Sequence, residues 1–338
     1  MTDYPRYASL RRSLAAWLWL TTLVVWSAAA PARGETATGE AVRLYAEGRG
    51  LTARADLVAL LETPPMREAA ARLPVLQTLL DICIHSRAEA CVARYGPDYA
   101  EAAGQALPEA PVLRAEQARR AAYYFDAARL ALHRPEVTAQ ILDWAPWTNE
   151  NPANGELYLQ RRLLAARVLI AQARPAEALA ELDRVLSLAA ALSNPQDARF
   201  TVASGLAEAI AMLAELGQTE RASGLLTAAG GFIDAALPAR SVDAAAFRLT
   251  AAELRLDLGD TEGALKILAA ARSGLDGVEL DADVRERLVG RAVRLQALGR
   301  ALSGDIAGAD AALAAHPLAA RFEVGGPRAA TPDEVAYL

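Results

Sequence analysis

A short pattern returns four times in the second half of this 338-residue chain. It reads QARPAEALAELDRVL from Gln172, ELGQTERASGLLTAA from Glu215, DLGDTEGALKILAAA from Asp257 and LSGDIAGADAALAAH from Leu302. Each copy sets a small residue at a turn (Ala173, Gly217, Gly259, Gly304), an alanine five positions on (Ala178, Ala222, Ala264, Ala309) and a leucine four beyond that (Leu182, Leu226, Leu268, Leu313). Copies recur every 42 to 45 residues, the length of a helical hairpin with its links. The small residue lets the chain leave one helix and turn into the next. Acidic residues just after it, such as Asp260, Glu262 and Asp305, favour a new helix N-terminus. The alanine admits a close neighbour, and the leucine one turn later fills the gap. An apolar helix of about four turns precedes each turn, as LYLQRRLLAARVLIA does before Gln172. One hairpin cannot bury both its apolar faces, so neighbours must stack. Alanine and leucine dominate and aromatic residues are only 6%, which also predicts an all-α fold.

The turn glycine, the second-helix alanine and the bulky residue one turn later resemble the tetratricopeptide repeat, with Ala166, Ala252 and Ala297 at the small position of its first helix. The resemblance spans about Leu157 to Ala315 and fits the long-repeat variants best. The copies are about ten residues longer than the family's usual unit, its first-helix tryptophan is absent, and the repeat-ending proline is absent or displaced. What the resemblance implies is a right-handed superhelical solenoid of antiparallel helix hairpins that holds a protein or peptide on its concave face. Weaker copies extend upstream. HRPEVTAQILDW from His133 places Thr138 and Leu142 in register, and HSRAEACVARYG from His85 offers Ala90 but has Arg94 where leucine belongs. The expected organisation is therefore an N-terminal segment 1–32, a helical region 33–105 (a divergent cap), a repeat array 106–316 and a tail 317–338, with ALPEAP (106–111) as the boundary.

The N-terminal segment predicts export. Arg6, Arg11 and Arg12 precede the apolar, uncharged run Leu14–Ala30, and Ala30-Pro31-Ala32 fits a small-residue cleavage site. The alternative is an uncleaved inner-membrane anchor, for which this run is at the short limit, with the repeats outside in either case. The compartment is then periplasmic or extracellular, and Cys83 and Cys91 become a disulfide candidate provided a turn falls at His85-Ser86-Arg87. In one continuous helix they could not bond, and the other reading is two small buried apolar side chains.

Charge and motifs narrow the chemistry. The net charge of −6 becomes about −8 without segment 1–32, which carries Arg6, Arg11 and Arg12 against Asp3, so nucleic acid is not an expected partner. Hydrolase, zinc-protease, phosphate-loop and dinucleotide signatures are all missing, and no cofactor or catalytic residue is expected. His85, His133 and His316 read as helix-ending residues. The candidate partner-binding residues are Trp144 and Trp147, in the loop DWAPWTNENPANGE, and the first-helix arginines Arg161, Arg162, Arg167, Arg291 and Arg294, which suit an acidic segment; the other readings are a tryptophan plug over the adjoining hairpin and ordinary solvated arginines. The leading expectation is an exported, non-catalytic scaffold. One alternative is the regulatory repeat portion of an enzyme system, such as one with a caspase-like protease of the CHAT type. Another is cell-wall glycan binding by the Trp144/Trp147 loop.

Overall fold

The computed structural model describes residues 31–132, 155–192 and 199–315. Among these residues the fold is all-α, with 13 α-helices and no strand. The helices are α1 (Pro31–Ala46), α2 (Gly50–Leu61), α3 (Ala69–His85), α4 (Glu89–Gln105), α5 (Pro111–Ala131), α6 (Gly155–Ala171), α7 (Pro175–Leu192), α8 (Arg199–Glu215), α9 (Thr219–Ala236), α10 (Val242–Asp257), α11 (Thr261–Leu275), α12 (Ala282–Leu302) and α13 (Ile306–Ala314). A 3₁₀ turn, Pro64–Arg67, links α2 to α3. None of the helices searched among these residues is long and apolar enough to cross a membrane. Helix α1 begins at Pro31, so a cut after Ala32 would fall within its first turn.

Among the described residues, six helical hairpins share one turn. Gly48, Arg87, Ala173, Gly217, Gly259 and Gly304 each have positive φ, between 54 and 87°. Each donates its N–H three residues back, and the residue after it donates five back, as in Gly259 N to Leu256 O and Asp260 N to Arg255 O. This is the Schellman arrangement, which satisfies the last carbonyls of the outgoing helix. The incoming helix is then capped where the sequence allows it. The Asp260 carboxylate accepts from Gly263 N and Asp305 from Gly308 N, both at 2.9 Å. Asp260 and Asp305 thus act as N-caps, while Glu262 lies in the first turn of α11 and pairs with Lys266.

Behind the turns the repeat positions are buried. Ala178, Ala222, Ala264 and Ala309 lie in the core, as do Ala166, Ala252 and Ala297 of the preceding helices. Leu182 and Leu268 are buried and Leu226 is partly so. Leu313 is 43% exposed, since α13 is the last described helix and none packs beyond it. The two helices of each hairpin pack together, and the first helices α6, α8, α10 and α12 also pack in succession.

The first two hairpins hold a copy that the sequence reading passed over and one it misregistered. Gly48, Ala53 and Leu57 repeat the turn, alanine and leucine spacing, and both apolar residues are buried. In the second hairpin the left-handed residue is Arg87, two positions beyond His85. That moves the alanine position to the buried Val92 and the leucine position to Gly96, while Ala90 and Arg94 are exposed. Gly96 is there for contact: a Cβ would stand 2.6 Å from the Tyr124 carbonyl oxygen and 2.8 Å from the Ala128 Cβ of α5. Residues 106–110 form a tight connection between α4 and α5, tied by Gln117 Nε2 donating to the carbonyls of Ala103 and Ala106 at 2.7 and 2.8 Å. One apolar cluster runs across this connection, from Ala41 of α1 to Val168 of α6.

The array also bonds to itself at long range. The α1–α2 turn meets the α11–α12 loop, where Glu279 N donates to Gly48 O at 2.7 Å. The Glu279 carboxylate accepts from Thr52 N (2.8 Å) and Thr52 Oγ1 (2.9 Å), capping α2 from 227 residues away in sequence. Those donors, the Thr52 amide foremost, hold the Glu279 carboxyl below the usual carboxylate range. Arg54 pairs with Asp281 at 2.6 Å. The N-terminal hairpins therefore dock on the loop that enters α12.

Candidate functional site

Docking places the turn after α3 opposite α10 and α12, and the space between them is a cavity of ≈ 270 Å³. That volume lies just below the usual range for a small-molecule site. Its walls come from the end of α3 and start of α4, from α5, and from the first helices α6, α8, α10 and α12. First helices line it because the alanine and leucine positions of the second helices are committed to packing within and between hairpins.

The polar wall is a set of ion pairs. His85, the last residue of α3, places Nδ1 2.7 Å from Oδ2 of Asp243 in the first turn of α10. Its ring stands edge-on to Phe200 of α8, centroids 5.0 Å apart. Burial disfavours the charged ring, but the bonded Asp243, with Asp81 and Glu208 nearby, outweighs it, and the His85 pKa is raised. Arg167 of α6 pairs with Glu208 of α8, whose carboxylate is the main reason the Arg167 pKa is raised. Arg291 of α12 pairs with Glu253 and donates to Thr250 Oγ1 at 3.2 Å, both on α10. Arg287 bonds Asp283 at 3.0 Å and reaches the backbone oxygen of Arg87 at 3.3 Å. Tyr124 donates to Asp81 at 2.6 Å, while burial raises the Asp81 pKa.

Arg87 is the exception. It lines the cavity, and among the described residues its side chain makes no hydrogen bond or ion pair. Burial lowers its pKa, and the neighbouring Arg167 lowers it further. The turn that presents it is closed by a disulfide. Cys83 and Cys91 are bonded, with Cα atoms 5.9 Å apart, and each lies four residues from Arg87.

The expected partner-binding residues divide. Arg167 and Arg291 come together on the cavity wall. Arg161 does not: it is buried at the α5–α6 packing, its Nη1 3.7 Å from Asp126. Burial dominates that pair, lowering Arg161 to about 9 and raising Asp126 to about 6. Arg162 bonds Glu181 of α7 at 2.8 Å, and Arg294 is half-buried outside the cavity lining. Trp144 and Trp147, with the loop holding them, lie outside the described residues, as do His133, His316 and the segment 1–30.

Sequence reasoning missed Arg87, Glu208 and Asp243 as a group, and read His85 as a helix end only. One signal was present: the two cysteines are equidistant from Arg87, which marks the centre of the stapled turn. Glu208 and Asp243 gave none, since an acidic residue on a helix is ordinarily solvated. No family model, no curated protein and no solved structure matches this chain.

Proposed function

We propose that this protein is an exported, non-catalytic scaffold of the tetratricopeptide-like solenoid type, which holds a protein or peptide on the face formed by its first helices. The observation that carries the reading is the convergence of Arg167 and Arg291, from helices far apart in sequence, on one polar wall with Arg87 and Arg287. Arg167 and Arg291 are held in place by Glu208 and Glu253, and an acidic segment would bind by exchanging with those carboxylates at guanidinium groups already oriented. The fold supplies no covalent step in this reading; complementarity of shape and charge does the work.

The test is affinity capture from an envelope fraction, with wild-type bait beside an Arg167→Glu/Arg291→Glu bait. The expected result is a co-purifying protein held by the first bait and lost from the second. A partner retained equally by both places the site elsewhere, and the absence of any specific partner removes the reading.

A second reading, regulation of an enzyme encoded alongside, is favoured by one observation. Leu302, Ile306 and Leu313 on the last described hairpin are each more than two-fifths exposed. Exposed apolar side chains of this kind suit packing against the surface of another protein. Reading the adjacent genomic frames for a catalytic domain tests it, and finding none discards it.

A further inference from the structure

We propose that the cavity is a binding site for a small organic anion, an oxyanion head on an apolar body, with Arg87 receiving the head. This goes beyond the scaffold reading: it concerns a free small molecule, and it stands or falls without any protein partner.

Backbone conformation is the first ground. Arg87 has φ +54° at the turn position where Gly48, Gly217, Gly259 and Gly304 stand in sibling hairpins. A side chain in that region costs about 1–2 kcal/mol relative to glycine. Such costs persist where the side chain has a use, and the reasoning runs from the observed outlier to the use. Ala173 shares the conformation, with φ +57°, but brings only a methyl group. Arg87 brings a guanidinium into a cavity.

The second ground is pairing. Every other cation on the wall has a partner: His85 with Asp243, Arg167 with Glu208, Arg287 with Asp283, Arg291 with Glu253. The Arg87 guanidinium makes no hydrogen bond or ion pair among the described residues. Arg167 and Arg291 stand near enough to repel it, while Asp243 and Glu208, each already bonded to another cation, attract it only from beyond bonding distance. A guanidinium so placed presents a planar fork of donors that matches a carboxylate or a phosphate. An anion there would meet Arg87 as the one cation of the wall not already bonded, with the carboxylates of Asp243 and Glu208 turned to their own partners.

The remaining wall sets the rest of the ligand. Ile84, Val92, Leu130, Leu163, Leu164 and Phe247 line the same space, leaving room for an apolar body that a bare ion would not use. The site is held open before binding. The Cys83–Cys91 bond closes the Arg87 turn, and Arg287 of α12 holds the Arg87 carbonyl. Fixing the fork in advance lowers the ordering cost of binding.

The glycine siblings also supply the variant for the test. Arg87→Gly removes the guanidinium while installing the residue this turn uses elsewhere, so the fold is kept. Binding of hexanoate, phenyl phosphate, acetate and inorganic phosphate to the purified, oxidised chain is measured by titration calorimetry. The expected result is one saturable site for hexanoate or phenyl phosphate, at least about tenfold tighter than for the bare head groups. Arg87→Gly, with an unchanged helical circular-dichroism spectrum, then weakens it by about tenfold or more. Preference for hexanoate or for phenyl phosphate tells a carboxylate head from a phosphate one. Equal binding of bare and apolar-bodied anions means ions collecting on arginines and overturns the proposal. Undiminished binding by Arg87→Gly, or no saturable binding of either organic probe, overturns it as well.

Discussion

The turns at Arg87 and Gly259 have the same backbone and opposite surroundings. At Gly259 a Cβ would meet nothing within 4 Å, so the turn looks into solvent and serves only to reverse the chain. At Arg87 the same left-handed step lies between two bonded cysteines, against α10 and α12, and carries a charged side chain into a cavity. Gly48 belongs with Arg87: its turn packs against Arg240 and Val278 and is bonded by Glu279. The local geometry that ends a helix therefore does not decide whether its turn faces solvent or protein. Once the first two turns press against the far end of the array, the same geometry becomes an interface and the wall of a site.

The largest expected effect comes from opening the staple. The Cys83–Cys91 bond spans eight positions, and a loop of that size corresponds to about 2–3 kcal/mol of lost chain entropy in the unfolded state. Cys83→Ser/Cys91→Ser should lower the melting temperature in non-reducing buffer by several degrees, and reductant should lower the wild type to match. A double variant that melts like the wild type would make this turn as plain as the one at Gly259. Next in size is Gly96→Ala, where the added methyl must displace the Tyr124 carbonyl and Ala128 of α5. Overpacking against backbone costs about 1–3 kcal/mol, read as a shift in the urea midpoint at unchanged slope.

Glycine substitutions at the two kinds of turn sharpen the contrast. Gly259→Ala should cost about 1 kcal/mol, the left-handed penalty alone. Gly48→Ala should cost more, because its Cβ would also stand 3.2 Å from the Arg240 carbonyl oxygen and 3.3 Å from the Arg240 Cβ. Arg87→Gly reverses the sign: it relieves the same penalty and should hold or raise the melting temperature, even as it weakens anion binding. Equal losses at Gly48 and Gly259 in chemical denaturation would mean that the first hairpin is not docked.

These contrasts also mark how far the residues announce the structure. Helices and turns were legible because Gly217, Gly259 and Gly304, with the alanines and leucines behind them, carry local information at fixed spacing. The copy at Gly48, Ala53 and Leu57 obeys the same spacing and is as legible in the residues as the other four. The copy at Arg87 was hidden because its three signature positions hold arginine, valine and glycine. Each is explained by a neighbour: the cavity, the core, and the close approach of α5. Long-range docking leaves no periodic trace. Glu279 is one acidic residue among many until the fold brings it to the amides of α2, and Asp243 looks like an ordinary first-turn carboxylate until His85 arrives from 158 residues away.

The smallest effect probes that docking through proton binding. The folded His85 ring has a raised pKa, held up against burial by the bonded Asp243 with help from Asp81 and Glu208; Arg87 is the cation within two residues of it. Folding therefore takes up a proton there more readily than the unfolded chain does. The stabilisation is fully present below the unfolded value of ~6.5 and fades as pH rises through the higher folded value. The difference in melting temperature between wild type and Asp243→Asn should be larger near pH ~5.5 than near pH ~8.5, as the linkage sign requires. The Gly259 end of the molecule offers an internal control: Asp260, exposed and bonded to Gly263 and Arg255, has a lowered pKa and contributes in the opposite sense. Its share appears above the unfolded carboxylate value and is lost only on acidification well below the range in which His85 titrates. A wild-type minus Asp243→Asn difference that is flat across neutral pH, or that grows toward alkaline pH, would show that α3 and α10 are not joined by a charged pair, and the two turns would differ only in their covalent staple.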